Sequence, residues 1–286
     1  MSGNLRHRPS VAAPTSRHEE PRLRVLAGAE LDDAVIDEAA AFFRFTFANA
    51  FGELYVRQST GELLSASTAA DAYLPLDVID TCPSGLRLRD EVLPKVFDPD
   101  TTRAMLARKL RAHDSALVLL EGGGAVEGLT FAYRARLDAV FANEWAYPWA
   151  YVAPSHRLPE LTRPLGRLLD ALERAGFRSM APDTPVLCWN CVATAPEARS
   201  LANFLALAGA LFRRMRHAAD LLVIGETVVG STAHELFRAV GAAEIEDVLD
   251  PPLVLVCTRV ANAAAKYTLP MREFIPLLRA ARAARH

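Results

Sequence analysis

The stretch from Val186 to Arg259 constrains the fold more than any other part of the chain. It reads as strand Val186 to Ala193, helix Ala198 to about Arg216, strand Leu221 to Gly225, helix Ala233 to Val240, then strands near Ala243 to Val248 and Leu253 to Arg259. Short apolar strands that alternate with amphipathic helices must be covered by those helices, so this region predicts helices packed on a largely parallel section of sheet. The first junction is abrupt. Val186 to Thr194 (VLCWNCVAT) runs through Ala195 to Arg199 (APEAR) into a helix carrying Leu201, Phe204, Leu205, Ala208, Leu211, Phe212 and Met215 on one face. A helix opening directly after a strand presents unpaired backbone N–H groups and the positive end of its macrodipole, which together favour a phosphate. Arg199 adds a charged donor at that point.

Upstream, residues 1–21 hold almost no large apolar side chain, so nothing there offsets ordering entropy, and a disordered tail is expected. Residues 22–286 are read as one domain. Leu23 to Leu26 predicts a strand, and Asp32 and Asp33 open a helix through Val35, Ile36, Ala39, Phe42, Phe43 and Phe47. Residues 52–100, broken by Pro75, Pro83, Pro94 and Pro99, read as an insertion. A helix follows from about Asp100 to His113, with Thr101 or Thr102 as its cap. Ser115 to Glu121, the turn Gly122 to Gly124, and Val126 to Arg134 form a hairpin signal; with no helix after these glycines, they read as a turn and not as a phosphate cradle. A second insertion spans about 135–185, with an aromatic cluster at Phe141, Trp145, Tyr147, Trp149 and Tyr151 and a helix from Glu160 to Ala175. That cluster reads either as core packing or as the lining of an acyl or acceptor cavity. The final helix, Met271 to Arg285, puts Phe274, Ile275, Leu278 and Ala281 on one face, with Pro276 tolerated only in a first turn. It either docks on its own domain or serves a membrane surface or partner.

Composition removes several function classes. The formal charge of −2, with acidic and basic residues interspersed, provides no clustered basic excess for nucleic acid. No apolar run reaches the roughly 20 residues of a spanning helix, and the first 22 residues lack the apolar centre of a secretory signal, so a cytoplasmic protein is expected. Cys188 and Cys191 spell C-x-x-C, but residues three apart on a regular strand point to opposite faces, and Cys82 and Cys257 stand alone. Buried thiols are expected, and no metal. Thr232 and Glu235 have the spacing of a capping box, which accounts for the glutamate beside His234. No G-x-G-x-x-G lies between a strand and a helix, which disfavours a dinucleotide enzyme.

The strand–loop–helix at 186–216 resembles the acyl-CoA motif of the GNAT (GCN5-related N-acetyltransferase) superfamily, where a V-x-P-x-x-R stretch leads to a loop R/Q-x-x-G-x-G/A. Here the loop reads Arg199, Ser200, Leu201, Ala202, Asn203, Phe204. The helix Ala233 to Ala242 (AHELFRAVGA) resembles the family's A-x-x-L-Y-x-x-x-G-F, with Phe237 in place of the tyrosine that reprotonates the leaving thiolate, and Gly230 where an asparagine is common. The resemblance covers 186–259 at motif level and 23–134 by order of elements. It implies an α/β (α+β) fold: a mixed, mostly antiparallel sheet flanked by helices, here with two insertions and a C-terminal helix.

It further implies an N-acyltransferase. Two strands diverge, and the main-chain groups of Val192, Ala193 and Thr194 bond the pantetheine of an acyl-CoA, while Arg199, Ser200, Leu201, Ala202 and Asn203 meet its diphosphate. Because Ala202 and Phe204 replace glycines, the donor is either acyl-CoA, of acetyl or longer chain, or the arm of an acyl carrier protein. The acceptor is a small-molecule amine. Direct attack needs a base. Glu144, a carboxylate among aromatics whose desolvation would raise it toward neutral pH, is the first candidate; Glu226, at a strand end, is the second and Glu197 the third. The altered loop and Phe237 leave open a catalytically inactive binding or regulatory module.

Overall fold

The computed structural model describes residues 21–44, 46, 99–141, 165–245, 248–249 and 253–284. Residues 1–20, most of the 52–100 stretch, Glu144, Trp145 to Tyr151 and Cys82 lie outside the described residues.

Among the described residues, seven strands form one sheet in the order β1-β2-β3-β4-β5-β7-β6. Strand β1 (Arg22–Leu26) pairs antiparallel with β2 (Ala116–Gly122), which pairs with β3 (Ala125–Arg136), which pairs with β4 (Pro185–Thr194). The β2–β3 hairpin closes on Gly123 and Gly124, at φ of 58° and 85°. Positive φ at both central residues is the I′-type geometry that matches the twist of the flanking strands, and it is why two glycines stand there.

The other half is β5 (Leu222–Val228), β7 (Leu253–Arg259) and the short edge strand β6 (Ala243–Ile245). The largely parallel section expected from Val186 onward is corrected here. Only β4–β5 is parallel, because β7 inserts between β5 and β6 and runs antiparallel to both.

Helices cover both faces. On one lie α1 (33–44), α2 (Pro99–Leu110), the short α3 (Leu137–Val140) and α4 (Leu165–Arg174), packing Ile36, Phe43, Leu106 and Leu172 against Leu117, Phe131 and Ile224. On the other lie α5 (Leu201–Arg214), α6 (Thr232–Ala239), α7 (Val260–Tyr267) and α8 (Met271–Ala283), packing Leu211, Phe212, Leu236 and Tyr267 against Val118, Trp189 and Val223. Alternate residues of each central strand feed opposite cores, so the sheet is buried from both sides.

Local signals account for the helix starts, with three corrections. The Asp32 carboxylate accepts the Val35 N–H at 2.9 Å and caps α1. Helix α2 is already under way at Pro99, so Thr101 and Thr102 lie inside its first turn and do not cap it. Helix α6 is capped by Ser231, whose Oγ accepts the His234 N–H at 3.1 Å. The proposed box of Thr232 and Glu235 is therefore one residue out of register, and Glu235 instead takes the Arg282 guanidinium at 2.7 Å, tying α8 to α6. Helix α8 docks on its own domain: Phe274 is fully buried, stacked on Tyr267 with ring centroids 6.0 Å apart. Pro276 sits in its second turn and not its first. The carbonyl its missing N–H would have served belongs to Arg272, on the exposed face where water can meet it.

Candidate functional site

Strand β4 treats its two neighbours differently. Against β3 it is paired from Pro185 to Thr194; against β5 only Val186, Leu187 and Cys188 are in register, with Leu222, Val223 and Ile224. Both strands run on past that point, β5 still paired with β7 as far as Val228. Two strands that continue, each held by its outer neighbour, and no longer pair with each other have parted. A wedge opens in the sheet beyond Cys188 and Ile224.

A bulge marks the point of departure. The β3–β4 register jumps between Phe131, opposite Cys191, and Ala132, opposite Trp189, leaving Asn190 as the extra residue. An extra residue bends the bulged strand and increases its twist. The bend also corrects the reading of C-x-x-C. With Asn190 out of alternation, Cys188 and Cys191 face the same core, the one beneath α1 and α2. Both are buried, and neither forms a disulfide. Among the described residues no group of three or more His, Cys, Asp or Glu could hold a metal ion, and no helix is long and apolar enough to cross a membrane.

Hydrogen-bond parity assigns the main-chain groups that line the wedge. The Ala195 N–H donates to the Glu127 carbonyl at 2.7 Å. Because antiparallel residues alternate between facing the partner and facing away, Ala193 also faces β3, while Val192 and Thr194 direct their N–H and C=O toward the β5 side. On the opposite wall the Val260 N–H donates to the Leu221 carbonyl at 3.1 Å, so Gly225 faces β7 and Glu226 turns its N–H and C=O toward β4. The narrow end is tight: a Cβ on Gly225 would lie 3.3 Å from the Trp189 carbonyl and 3.6 Å from the Phe237 ring.

The strand order, the single parallel pair and its opening decide the architecture. It is the mixed, mostly antiparallel, helix-flanked sheet that the GNAT resemblance implies. No family model and no curated protein match the chain. Among solved structures, it is 14% identical to a Drosophila melanogaster polyamine N-acetyltransferase over 83% of this chain and 100% of that one, with a TM-score of 0.42. A mosquito arylalkylamine N-acetyltransferase-like 5b is 12% identical over 83% and 98%, with a TM-score of 0.41, and an apo agmatine N-acetyltransferase mutant 13% identical over 84% and 100%, with a TM-score of 0.40.

In GNAT terms the loop ahead of α5 is partly closed on itself. Ser200 caps the helix: its Oγ accepts the Asn203 N–H at 3.1 Å, and the Asn203 side-chain amide donates to the Ala198 carbonyl at 2.7 Å. The Asn203 amide, expected to face a diphosphate, is thus served within the protein, which leaves the Leu201 and Ala202 amides of the first turn. Phe204, at the second glycine position of the GNAT loop, turns inward, 5.7 Å from Tyr267 and 6.4 Å from Trp189 between ring centroids. Sequence spacing could not show that inward turn.

Phe237 packs edge-on to Trp189, with centroids 5.0 Å apart, and carries no proton. The phenol of Tyr267, whose ring also packs on Trp189, offers no replacement. Its hydroxyl donates to the Leu236 carbonyl at 3.3 Å, and complete burial pushes its pKa far up. His234, buried to 3% exposure, accepts the Gly230 N–H on Nδ1 at 3.1 Å and sets Nε2 3.2 Å from Glu244, at the outer edge of the sheet. Glu197 is exposed in the turn before α5. Glu226 is half-buried on β5, opposite Leu255 in register, on the α1 face of the sheet, while α5 and its N-terminus lie on the other face.

Proposed function

We propose that this chain transfers an acyl group from a pantetheine thioester to a small amine within the wedge between β4 and β5. The observation that carries the reading is the failure of β4 and β5 to pair beyond Cys188 and Ile224 while each stays paired on its far side. Buried main-chain groups without partners are costly, so an opened seam calls for a ligand with its own amides and carbonyls at strand-like spacing. Pantetheine has that chemistry.

Val192 and Thr194 on one wall and Glu226 on the other bond the pantetheine through the main chain. Arg199 and the Leu201 and Ala202 amides meet the diphosphate, with Ser200 and Asn203 holding that turn in shape. Ala193 supports the wall by its pairing with β3. A strand N–H at the wedge polarises the thioester carbonyl as the amine attacks. A C–N bond forms, the carboxylate of Glu226 takes the ammonium proton, and the C–S bond breaks; with Phe237 in the tyrosine's place, the thiolate is protonated by water. The diphosphate site and Glu226 lie on opposite faces, so donor and amine enter from opposite sides of the sheet. Glu144 is the alternative base. Acyl-CoA brings a diphosphate to this loop, and an acyl carrier protein presents the same pantetheine.

Phe237 favours a second reading, a GNAT-fold module that binds donor without turnover. One experiment tests both: acetyl-CoA and longer acyl-CoAs are mixed with the protein and a panel of amines, and free thiol is measured. Amine-dependent thiol release supports transfer, CoA binding without release supports the module, and absence of binding by any CoA contradicts both.

A further inference from the structure

Thr130 is a fully buried hydroxyl in the middle of β3, on the face shared by Trp189 and α5. A buried hydroxyl needs partners. Thr130 has two, and they lie on either side of the β4 bulge. Its Oγ1 donates to the Cys191 carbonyl at 2.7 Å and accepts the Trp189 indole N–H at 2.7 Å. The residue skipped by the register, Asn190, lies between them. Trp189 is in turn fixed by ring contacts to Phe212 and Phe237, each with centroids 5.0 Å away, and to Tyr267 at 5.5 Å. One hydroxyl therefore ties the residue before the bulge to the residue after it, and anchors both to β3.

Resting on the acyl-transfer reading above, we propose that Thr130 is a positioning residue that holds the Asn190 bulge and so keeps the wedge open for the thioester. The physical logic is local. A regular β4 would stay in register with β5 beyond Cys188 and bury the main-chain groups of Val192 and Thr194 in that pairing. The bulge turns the strand aside, and the Trp189–Thr130–Cys191 chain makes the bulged arrangement the one in which every buried polar atom of the three is served. Valine has the shape of threonine without the hydroxyl and serves neither partner; serine keeps the hydroxyl.

The test compares T130V and T130S with the wild-type chain by amide hydrogen exchange of the 186–195 segment and by acetyl-CoA kinetics. In T130V, exchange of that segment is expected to change while β1, β2 and α8 keep their wild-type rates. The KM for acetyl-CoA is expected to rise about tenfold to a hundredfold, with kcat less affected, as a displaced binding wall would produce. T130S is expected to match wild type in both readouts. Should T130V fail to fold, Trp189→Phe, which removes the indole N–H link together with part of the ring's packing, is expected to show the same localised exchange change. Unchanged exchange in the variant that folds, or T130S failing as T130V does, overturns the proposal. A wild-type chain that binds no CoA removes the transferase reading, whereas the exchange comparison still decides whether Thr130 holds the bulge.

Discussion

The two edges of β4 are made from the same residues and do different things. The edge toward β3 is zipped from end to end, around a bulge that is tied off by side chains; the edge toward β5 closes for three residue pairs and then opens. The zipped side is stability. Beside it, the β2–β3 ladder is fastened at its open end by Asp114, in left-handed conformation at φ 57°, which takes Arg134 of β3 at 3.0 Å and His217 beyond α5 at 3.3 Å. The open side is the proposed donor site. A sheet can give up pairing at one seam only if its other ladders hold, and here the seam falls where a helix N-terminus is close at hand.

The sharpest way to separate the two sides is through Glu226, whose side chain leaves the wedge wall without taking part in any ladder. Glu226→Gln is expected to lower kcat by about 100- to 10,000-fold, the span of a lost general base, with CoA affinity within threefold of wild type. Glu144→Gln, measured in parallel, exchanges the roles if it alone produces the loss. Next in size is Arg199→Glu, which places negative charge at the diphosphate. CoA affinity is expected to fall about tenfold to a hundredfold, the worth of a charge-assisted contact, with thermal stability unchanged. Equal affinity by calorimetry would take the donor away from the α5 N-terminus.

A pair of proline substitutions tests the alternation itself. Ala193→Pro removes an N–H that serves β3 and is expected to lower Tm by about 5 °C or more; Val192→Pro removes one that faces the wedge and is expected to cost CoA binding more than stability. Reversed behaviour would reverse the parity. The smallest effect lies in the β2–β3 ladder alone. Burial raises the Asp114 carboxyl, but the Arg134 hydrogen bond, His113 and His217 outweigh it, so its pKa lies below the usual value. A depressed carboxylate stabilises the fold above the unfolded pKa of about 3.9, and that stabilisation fades as pH falls through the folded value. Asp114→Asn, which tolerates the same backbone conformation, is expected to lower Tm by about 2–4 °C at pH 7, to converge with wild type in strong acid, and to leave CoA affinity alone.

The order of elements was legible because it depends on local chemistry: the glycine pair at 123–124, the helical spacing from Leu201 to Met215, the apolar runs of β4 and β7. The proposed wedge was legible as a place, since a strand meets a helix N-terminus at Thr194 to Leu201. What could not be read was anything set by pairing partners. The insertion of β7 between β5 and β6 turns an apparently parallel region antiparallel, and one skipped residue at Asn190 puts Cys188 and Cys191 on a common face. Phe204 reads in the sequence only as a residue in a glycine's place, because its turn toward Trp189 and Tyr267 is set by tertiary packing. Thr130 gave no signal at all, being one threonine in a β-rich run whose two partners lie about 60 residues downstream.

The open seam is tested most directly by residue-resolved amide exchange of β4 with and without CoA. In the free protein, Val192 and Thr194 are expected to exchange fast while Ala193 between them is protected, and CoA is expected to slow the outer two and leave Ala193 as it was. Uniform protection of all three before CoA is added, or indifference of Val192 and Thr194 to saturating CoA, would contradict it.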